Sequence, residues 1–281
     1  MRKLVALAGT TILAASVLTG CAAGAGTSAT ADCTPAHSDL KTVNAGVLTA
    51  STSVFPPFSQ VEGTKMTGVE GEILDKIAAM ECLTVSTQLL DTASRISAAQ
   101  TGRVDLAAGN VYCTAEREKV VTLAGPVYND QIAIVSRTGA GSFAELEGKK
   151  VGTFSGSLWN EEFKKIYGGN LSEYPDPTAM YNDLAAGRID GAADSLGSGT
   201  YVNKERGNTW TVKSPQADER VASSTQPGQV CFPMSKQNET LATAVKEDLE
   251  KLRSDGEIAE ILTKHGLDPA AAEVGQMRLI G

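Results

Sequence analysis

The chain has 281 residues, 33 acidic against 25 basic, for a formal charge of −8. That balance argues against a nucleic-acid partner and against a basic membrane-binding face. With 42% hydrophobic and 21% charged residues, the composition is that of ordinary globular protein, enough for one or two domains.

The first 20 residues read as an export signal, not as fold. Arg2 and Lys3 precede an apolar run over 4–18, too short and wrongly flanked for a permanent span. The run ends Leu18-Thr19-Gly20-Cys21, which resembles the bacterial lipobox. The resemblance makes residues 1–20 a lipoprotein signal peptide and Cys21 a lipidated (palmitate-bearing) N-terminus. Residues 21–40 become a small-residue tether. The protein is then exported and anchored by lipid to the outer face of the cell membrane. Four cysteines remain: Cys33, Cys82, Cys113 and Cys231. Outside the cytoplasm an even count suggests two disulfides, with three pairings open. There is no CxxC and there are only two histidines, His37 and His265, so no cysteine–histidine metal site and no cofactor are expected.

In chain order, residues 46–52 read as a strand, followed by a loop stiffened by Pro56 and Pro57. Gly63 and Gly68 mark a turn. Val69, Ile73, Ile77 and Met80 share one face of a helix over 69–81. Residues 83–89 form a second strand, and Asp91 caps a helix through Ala99 that Gly102 ends. Asp105 opens a third strand that runs through Leu106-Ala107-Ala108 into Thr114-Ala115-Glu116-Arg117. Thr114 is a good N-cap, with Glu116 and Glu118 in the first turn. A helix N-terminus at a strand's carboxyl end is where open α/β sheets bind ligands. Arg117 adds a planar fork that fits a carboxylate. This stretch is read as a site for a small carboxylate; the alternative is a βα unit whose arginine is solvated or pairs within its own lobe.

The pattern then restarts. Residues 131–136 are extended, 138–141 form a linker, and 150–154 a strand that turns at Ser155-Gly156-Ser157 into a helix over 158–167. A strand over 171–174 and a helix over 178–186 follow. Gly187-Arg188-Ile189-Asp190 then leads into a strand, as Gly102-Arg103-Val104-Asp105 does in the first half. The repeat implies two similar α/β lobes built on parallel sheets. A strand over 228–234 and helices over 238–253 and 255–265 complete the chain.

This order resembles the family 3 periplasmic or extracellular solute-binding proteins of ABC importers, over roughly residues 45 to 267. The resemblance is carried by Phe55-Pro56-Pro57-Phe58, Gly68-Val69-Glu70, Thr114-Ala115-Glu116-Arg117, Pro126-Val127-Tyr128 and Gly148-Lys149-Lys150-Val151-Gly152. The two Gly-Arg-x-Asp segments and the terminal Leu249-x-x-Leu252-x-x-Asp255-Gly256 add to it. It implies a type II periplasmic-binding-protein fold: two doubly wound α/β lobes joined by two hinge strands. Residues 41–130 and 228–281 would form lobe 1 and residues 131–227 lobe 2. An amino acid or related small carboxylate would bind between them and be delivered to an ABC permease by a monomer. Closing on ligand converts occupancy into shape.

By the same resemblance Arg117 meets the ligand carboxylate, with Thr114 as the helix cap beside it. Gly109, Asn110 and Tyr112 bracket the ligand, Tyr112 replacing the usual Ser or Thr. Phe55 stacks on the ligand side chain, and Ser157 and Leu158 offer the second lobe's helix N-terminus, with Trp159 beside them. The family's amino-group aspartate aligns with Ser195, with Asp194 one residue early and Glu70 as a substitute. Thr52 stands where binders of basic amino acids carry an acid, and Phe55, Tyr112 and Trp159 lean to an apolar or aromatic ligand. The implied topology pairs Cys113 with Cys231 and Cys33 with Cys82. The competing classes are an enzyme on this fold, such as a dehydratase, and a ligand-sensing lobe. Neither a Ser/His/Asp nor a metal constellation supports the enzyme.

Overall fold

A computed structural model describes residues 33–280; the signal segment, Cys21 and the tether up to residue 32 lie outside the described residues. The first half runs β1 (Val47–Thr52), β2 (Gln60–Glu62), β3 (Lys65–Thr67), α1 (Val69–Met80), β4 (Thr84–Leu89), α2 (Thr92–Gln100), β5 (Leu106–Ala107), α3 (Ala115–Val120) and β6 (Thr122–Ala124). The chain crosses through β7 (Asn129–Asp130) into β8 (Ile132–Ser136), β9 (Val151–Phe154), α4 (Asn160–Tyr167), β10 (Leu171–Tyr174), α5 (Pro177–Ala185), β11 (Gly191–Ser195), α6 (Leu196–Glu205) and β12 (Thr211–Lys213). It returns through α7 (Ala222–Thr225) and β13 (Gly228–Gln229) to β14 (Phe232–Met234), α8 (Glu239–Ser254) and α9 (Glu257–Lys264).

The helices form where the apolar spacing puts them. Val69, Ile73 and Ile77 of α1 are buried on one face, as are Leu241, Val245, Leu249 and Leu252 of α8. Gly68 precedes α1 at φ 89°, and a Cβ there would lie 2.5 Å from the Pro57 carbonyl oxygen. Only glycine fits that close approach. Among the described residues no helix is long and apolar enough to cross a membrane.

Two five-stranded sheets result, ordered β4-β1-β5-β14-β6 and β10-β9-β11-β8-β12. The βαβ units make β4, β1 and β5 parallel, and likewise β10, β9 and β11. The sheets are mixed, however, where a purely parallel pattern is expected. β14 runs antiparallel to β5 and β6, and β8 antiparallel to β11 and β12. Each of these strands enters its sheet after an interlobe crossing and so arrives from the opposite end. The expected single strand over 228–234 divides for the same reason: β13 pairs with β7 in the crossover, and β14 joins the first sheet. The β2–β3 hairpin around Gly63, α6 and β12 were not anticipated; their segments are short or polar and carry little periodicity.

The structure joins Cys33 to Cys82 and Cys113 to Cys231, with Cα separations of 5.8 and 5.3 Å. The first ties the N-terminal segment to the end of α1. The second links the loop after β5 to the strand crossing back between the lobes. The C-terminal residues strap that crossing. Gln229 donates to the Val274 carbonyl at 2.6 Å and accepts from the Arg278 N–H at 2.6 Å, and Ile280 bridges to Thr114.

Candidate functional site: the interlobe cleft

A cleft of about 840 Å³ opens between the two sheets. Its walls are the carboxyl ends of parallel strands. β1 delivers Ser53 and Phe55, β4 Leu90, and β5 the loop Gly109 to Tyr112. From the other side β9 delivers Phe154 and Ser157, β10 Asp176, and β11 Ser195. Parallel strands of both lobes point their carboxyl ends at one another, which is why the site forms here. Phe55 of the first lobe lies against Phe154 of the second at 5.6 Å between ring centroids, so the two lobes touch across the cleft.

Nine of the twelve residues singled out as ligand contacts line this cleft: Phe55, Gly109, Asn110, Tyr112, Arg117, Ser157, Leu158, Trp159 and Ser195. Arg117 lies in the first turn of α3, half-buried, its Nη1 donating to the Tyr112 carbonyl at 2.7 Å. Burial depresses its pKa to about 10. Trp159 is buried at 3% exposure, its indole N–H donating to the Thr153 hydroxyl at 2.9 Å, so it braces the wall of lobe 2 as much as it faces a ligand.

Two expected ligand contacts are corrected. Glu70 does not reach the cleft. It is fully buried, accepting from the N–H groups of Gly109 (2.5 Å) and Asn110 (2.7 Å) and from the Tyr128 hydroxyl (2.6 Å). It shapes the binding loop from behind, and burial pushes its pKa up. Asp194 is likewise turned inward. Successive residues of a strand face opposite sides, so when Ser195 meets the cleft Asp194 meets the core of lobe 2, where the Tyr181 hydroxyl donates to it at 2.7 Å. Thr114 is the N-cap that the sequence predicts, its hydroxyl accepting from the Arg117 N–H at 3.1 Å, and it borders a separate surface depression. The helix it caps has six residues. The charge offered to an anion is therefore the Arg117 guanidinium more than a helix dipole. Thr52, too, is fully buried, and Ser53 faces the cleft instead.

Sequence reasoning missed Arg95. It stands on α2, 5% exposed, and its Nη1 donates to the Ser53 hydroxyl and the Ala108 carbonyl at 2.9 Å each. Its pKa is depressed to about 10, by burial first and then by the charge of Arg117. Two guanidinium groups thus border one cleft; their hydrogen bonds to described residues go to carbonyls and a hydroxyl, while the Glu70 and Asp91 carboxylates act on Arg95 through their charge. The available signal was a charge in register with Ala98 and Ala99 on the buried face of α2. The N-terminus of α5, capped by Asp176, was also missed; Thr178 and Asn182 reach the cleft from it.

Asp130 was missed as well. It sits on crossover strand β7, 7% exposed, accepting from the Asn110 side chain at 2.7 Å and the Tyr112 hydroxyl at 3.1 Å. A hydrogen bond with Ser195 is a further influence on its carboxyl. Tyr112 therefore replaces a small hydroxyl by a long one that reaches the hinge. Gly228 makes room, since a Cβ there would lie 2.9 Å from the Tyr112 ring.

Burial raises Asp130 to about 6 and Asp194 to about 7. An unfolded aspartate titrates near pH ~3.9. Above that value and up to 6 or 7, the folded chain holds protons that the unfolded chain has released. Stability from these groups is full below the unfolded value and falls as pH rises through 6 and 7. The ligand-free protein is expected to be more stable at about pH 5 than at about pH 8 by a few kcal/mol, each pKa unit being worth about 1.4 kcal/mol. Asp194→Asn should flatten the profile measured by thermal unfolding. An unchanged slope would show that Asp194 does not hold the extra proton.

Two lobes, two crossing strands and a cleft walled by strand ends define a protein that closes around a small solute. Over residues 47–268 the sequence matches the bacterial extracellular solute-binding proteins, family 3. The chain belongs to that family; it is a solute-binding protein of the amino-acid ABC importer type, not an enzyme. It is 22% identical to the arginine-binding extracellular protein ArtP of Bacillus subtilis (strain 168) over 239 residues, 83% of this chain and 90% of that one. It is 27% identical to the L-cystine-binding protein TcyJ of Escherichia coli (strain K12) over 217 residues, 75% of this chain and 78% of that one. A crystal structure of the substrate-binding protein of an amino acid ABC transporter superposes with a TM-score of 0.68 at 26% identity, covering 78% of this chain and 98% of the other.

Proposed function

We propose that the protein captures an amino acid with a neutral or acidic side chain in the interlobe cleft and hands it to an ABC permease while tethered to the membrane through lipid on Cys21. The observation that carries the ligand class is the pair of guanidinium groups, Arg95 and Arg117, bordering one cleft, their hydrogen bonds to described residues going to carbonyls and a hydroxyl. A carboxylate of the ligand completes Arg117 with two parallel hydrogen bonds. A cationic side chain would enter a space that already holds Arg95 and Arg117, with Asp91 and Asp176 at its wall to offset them, and the acid position of basic-residue binders holds a buried Thr52. Arginine, cystine and histidine appear as the ligands of relatives, so relatedness leaves the side chain open. The ammonium faces Ser195 and Asn110, with Asp130 behind them supplying the negative charge that the family aspartate supplies elsewhere. The lobes exchange chain at residues 129–130 and 228–229. Phe55, Leu158 and Trp159 cover the ligand's apolar atoms.

Thermal-shift screening of the twenty amino acids and of simple carboxylates is the direct test. At a concentration of 100 times Kd a ligand adds about 2.7 kcal/mol to stability. A chain this size should then melt about 5–10 °C higher. Stabilisation by glutamate, glutamine or an apolar amino acid over arginine and lysine is the expected order. A preference for arginine or lysine would sink the side-chain reading, and no response to any carboxylate would sink the site.

A further inference from the structure

We propose that His37, Glu81 and Asp248 form a divalent-cation site, suited to an ion of the zinc type, that clasps the N-terminal segment onto the first lobe. The three residues come from separate parts of the chain. His37 follows Cys33 in the N-terminal segment, Glu81 is the C-cap of α1, and Asp248 lies on α8. One imidazole nitrogen and one carboxylate oxygen from each acid lie within 4.8 Å of one another. A tetrahedral zinc ion with bonds of about 2.0–2.2 Å needs its ligand atoms about 3.3–3.6 Å apart. The His37 Nδ1 to Glu81 Oε1 distance, 2.6 Å, would open by about 1 Å to admit the ion.

Two further observations point to an ion. The Asp248 carboxylate is 2% exposed, its Oδ2 meets no donor among the described residues, and it lies against the Glu81 carboxylate, so the two acids must share either a proton or a cation. A buried polar atom left unmatched is costly, and two buried carboxylates, Glu81 at 5% and Asp248 at 2% exposure, share the cluster with one imidazole. A divalent ion would supply the missing partner and offset the like charges. The imidazole is also oriented as a ligand. Its Nε2 lies 2.8 Å from Glu247 Oε2, the carboxylate–histidine arrangement that turns the other ring nitrogen toward a metal. Nitrogen with carboxylate oxygens suits zinc and neighbouring transition ions; magnesium and calcium prefer oxygen alone.

The consequence is local. The N-terminal segment would be held at two adjacent points, the Cys33–Cys82 disulfide and the ion. The rival arrangement has no ion: one proton on His37, held by Glu81 and Glu247, and a second between the Asp248 and Glu81 carboxylates.

The test is calorimetric titration of zinc chloride into the chelator-stripped protein, with thermal unfolding alongside, for wild type, His37→Gln and Asp248→Asn. Asparagine keeps the shape of Asp248 and removes a buried charge, so that variant is expected to fold. One ion per chain in wild type, a higher melting temperature with zinc, no response to magnesium, and a loss of zinc affinity of at least tenfold in both variants are expected. Absence of saturable binding, or equal affinity in wild type and both variants, would overturn the proposal. Amino-acid binding by Asp248→Asn should match wild type, which separates this site from the cleft.

Discussion

Arg117→Ala should raise the Kd of the best amino acid about 30- to 1000-fold with little change in folding. The guanidinium has one backbone acceptor, the Tyr112 carbonyl. In the complex it would carry a buried, charge-assisted pair with the ligand carboxylate, and cutting one partner of such a pair costs about 2–4 kcal/mol. The unliganded fold loses a single hydrogen bond, worth about 1 kcal/mol, and is relieved of a like charge beside Arg95. Arg117→Lys keeps the charge but not the fork, and an intermediate loss is expected. Isothermal titration together with unfolding of the ligand-free protein separates the two quantities. Retained affinity in Arg117→Ala would reject the anchoring role.

Glu70→Ala should lower stability by about 3–5 kcal/mol, the cost of breaking a buried hydrogen-bonded charge, and the melting temperature by about 10 °C. Its two oxygens serve three donors, Gly109 N–H, Asn110 N–H and the Tyr128 hydroxyl; the two backbone donors would be stranded, and the hydroxyl would keep only a long contact to the Asn110 side chain at 3.4 Å. Each stranded donor costs about 1–3 kcal/mol, with incomplete additivity because the groups share one network. Glu70→Gln keeps a carbonyl but sets an amide N–H₂ against backbone N–H groups, so it should fall between. Ligand affinity should weaken in both, since Gly109 and Asn110 line the cleft from the loop that Glu70 holds. If Glu70→Ala folded with wild-type stability yet bound nothing, Glu70 would be a ligand contact and its assigned place behind the loop would be wrong.

The two mutations separate what could be read in the chain from what could not. Arg117 was legible because an N-cap threonine, a first-turn arginine and a preceding apolar strand are local features, and the structure keeps all three. Glu70 was misread because a first-turn acid on a helix looks alike whether it faces solvent, ligand or core. Its partners, Gly109 and Asn110, lie 39 and 40 residues away in sequence. Arg95 and Asp130 were missed for the same reason. Each matters through neighbours delivered by other strands, and each has an unremarkable local sequence. The Asp194/Ser195 offset was visible, but which of the two faced the cleft depended on the register of β11 against β8 and β9.

By itself the sequence determined the α/β class, the doubled βαβ pattern, most of the helices, the place of Arg117 in the first turn of a capped helix, and the family. All of these rest on periodicity, caps and motifs that act within a few residues. Tertiary structure alone decided the mixed sheets, the splitting of residues 228–234 between two sheets, and the cysteine pairs as physical bonds. It also decided which buried acids brace the binding loop, which stand behind the cleft, and which gather around His37. The physical reason is burial. The same carboxylate is a solvated surface charge, a structural acceptor or a ligand according to what surrounds it, and those surroundings come from segments far apart in the chain.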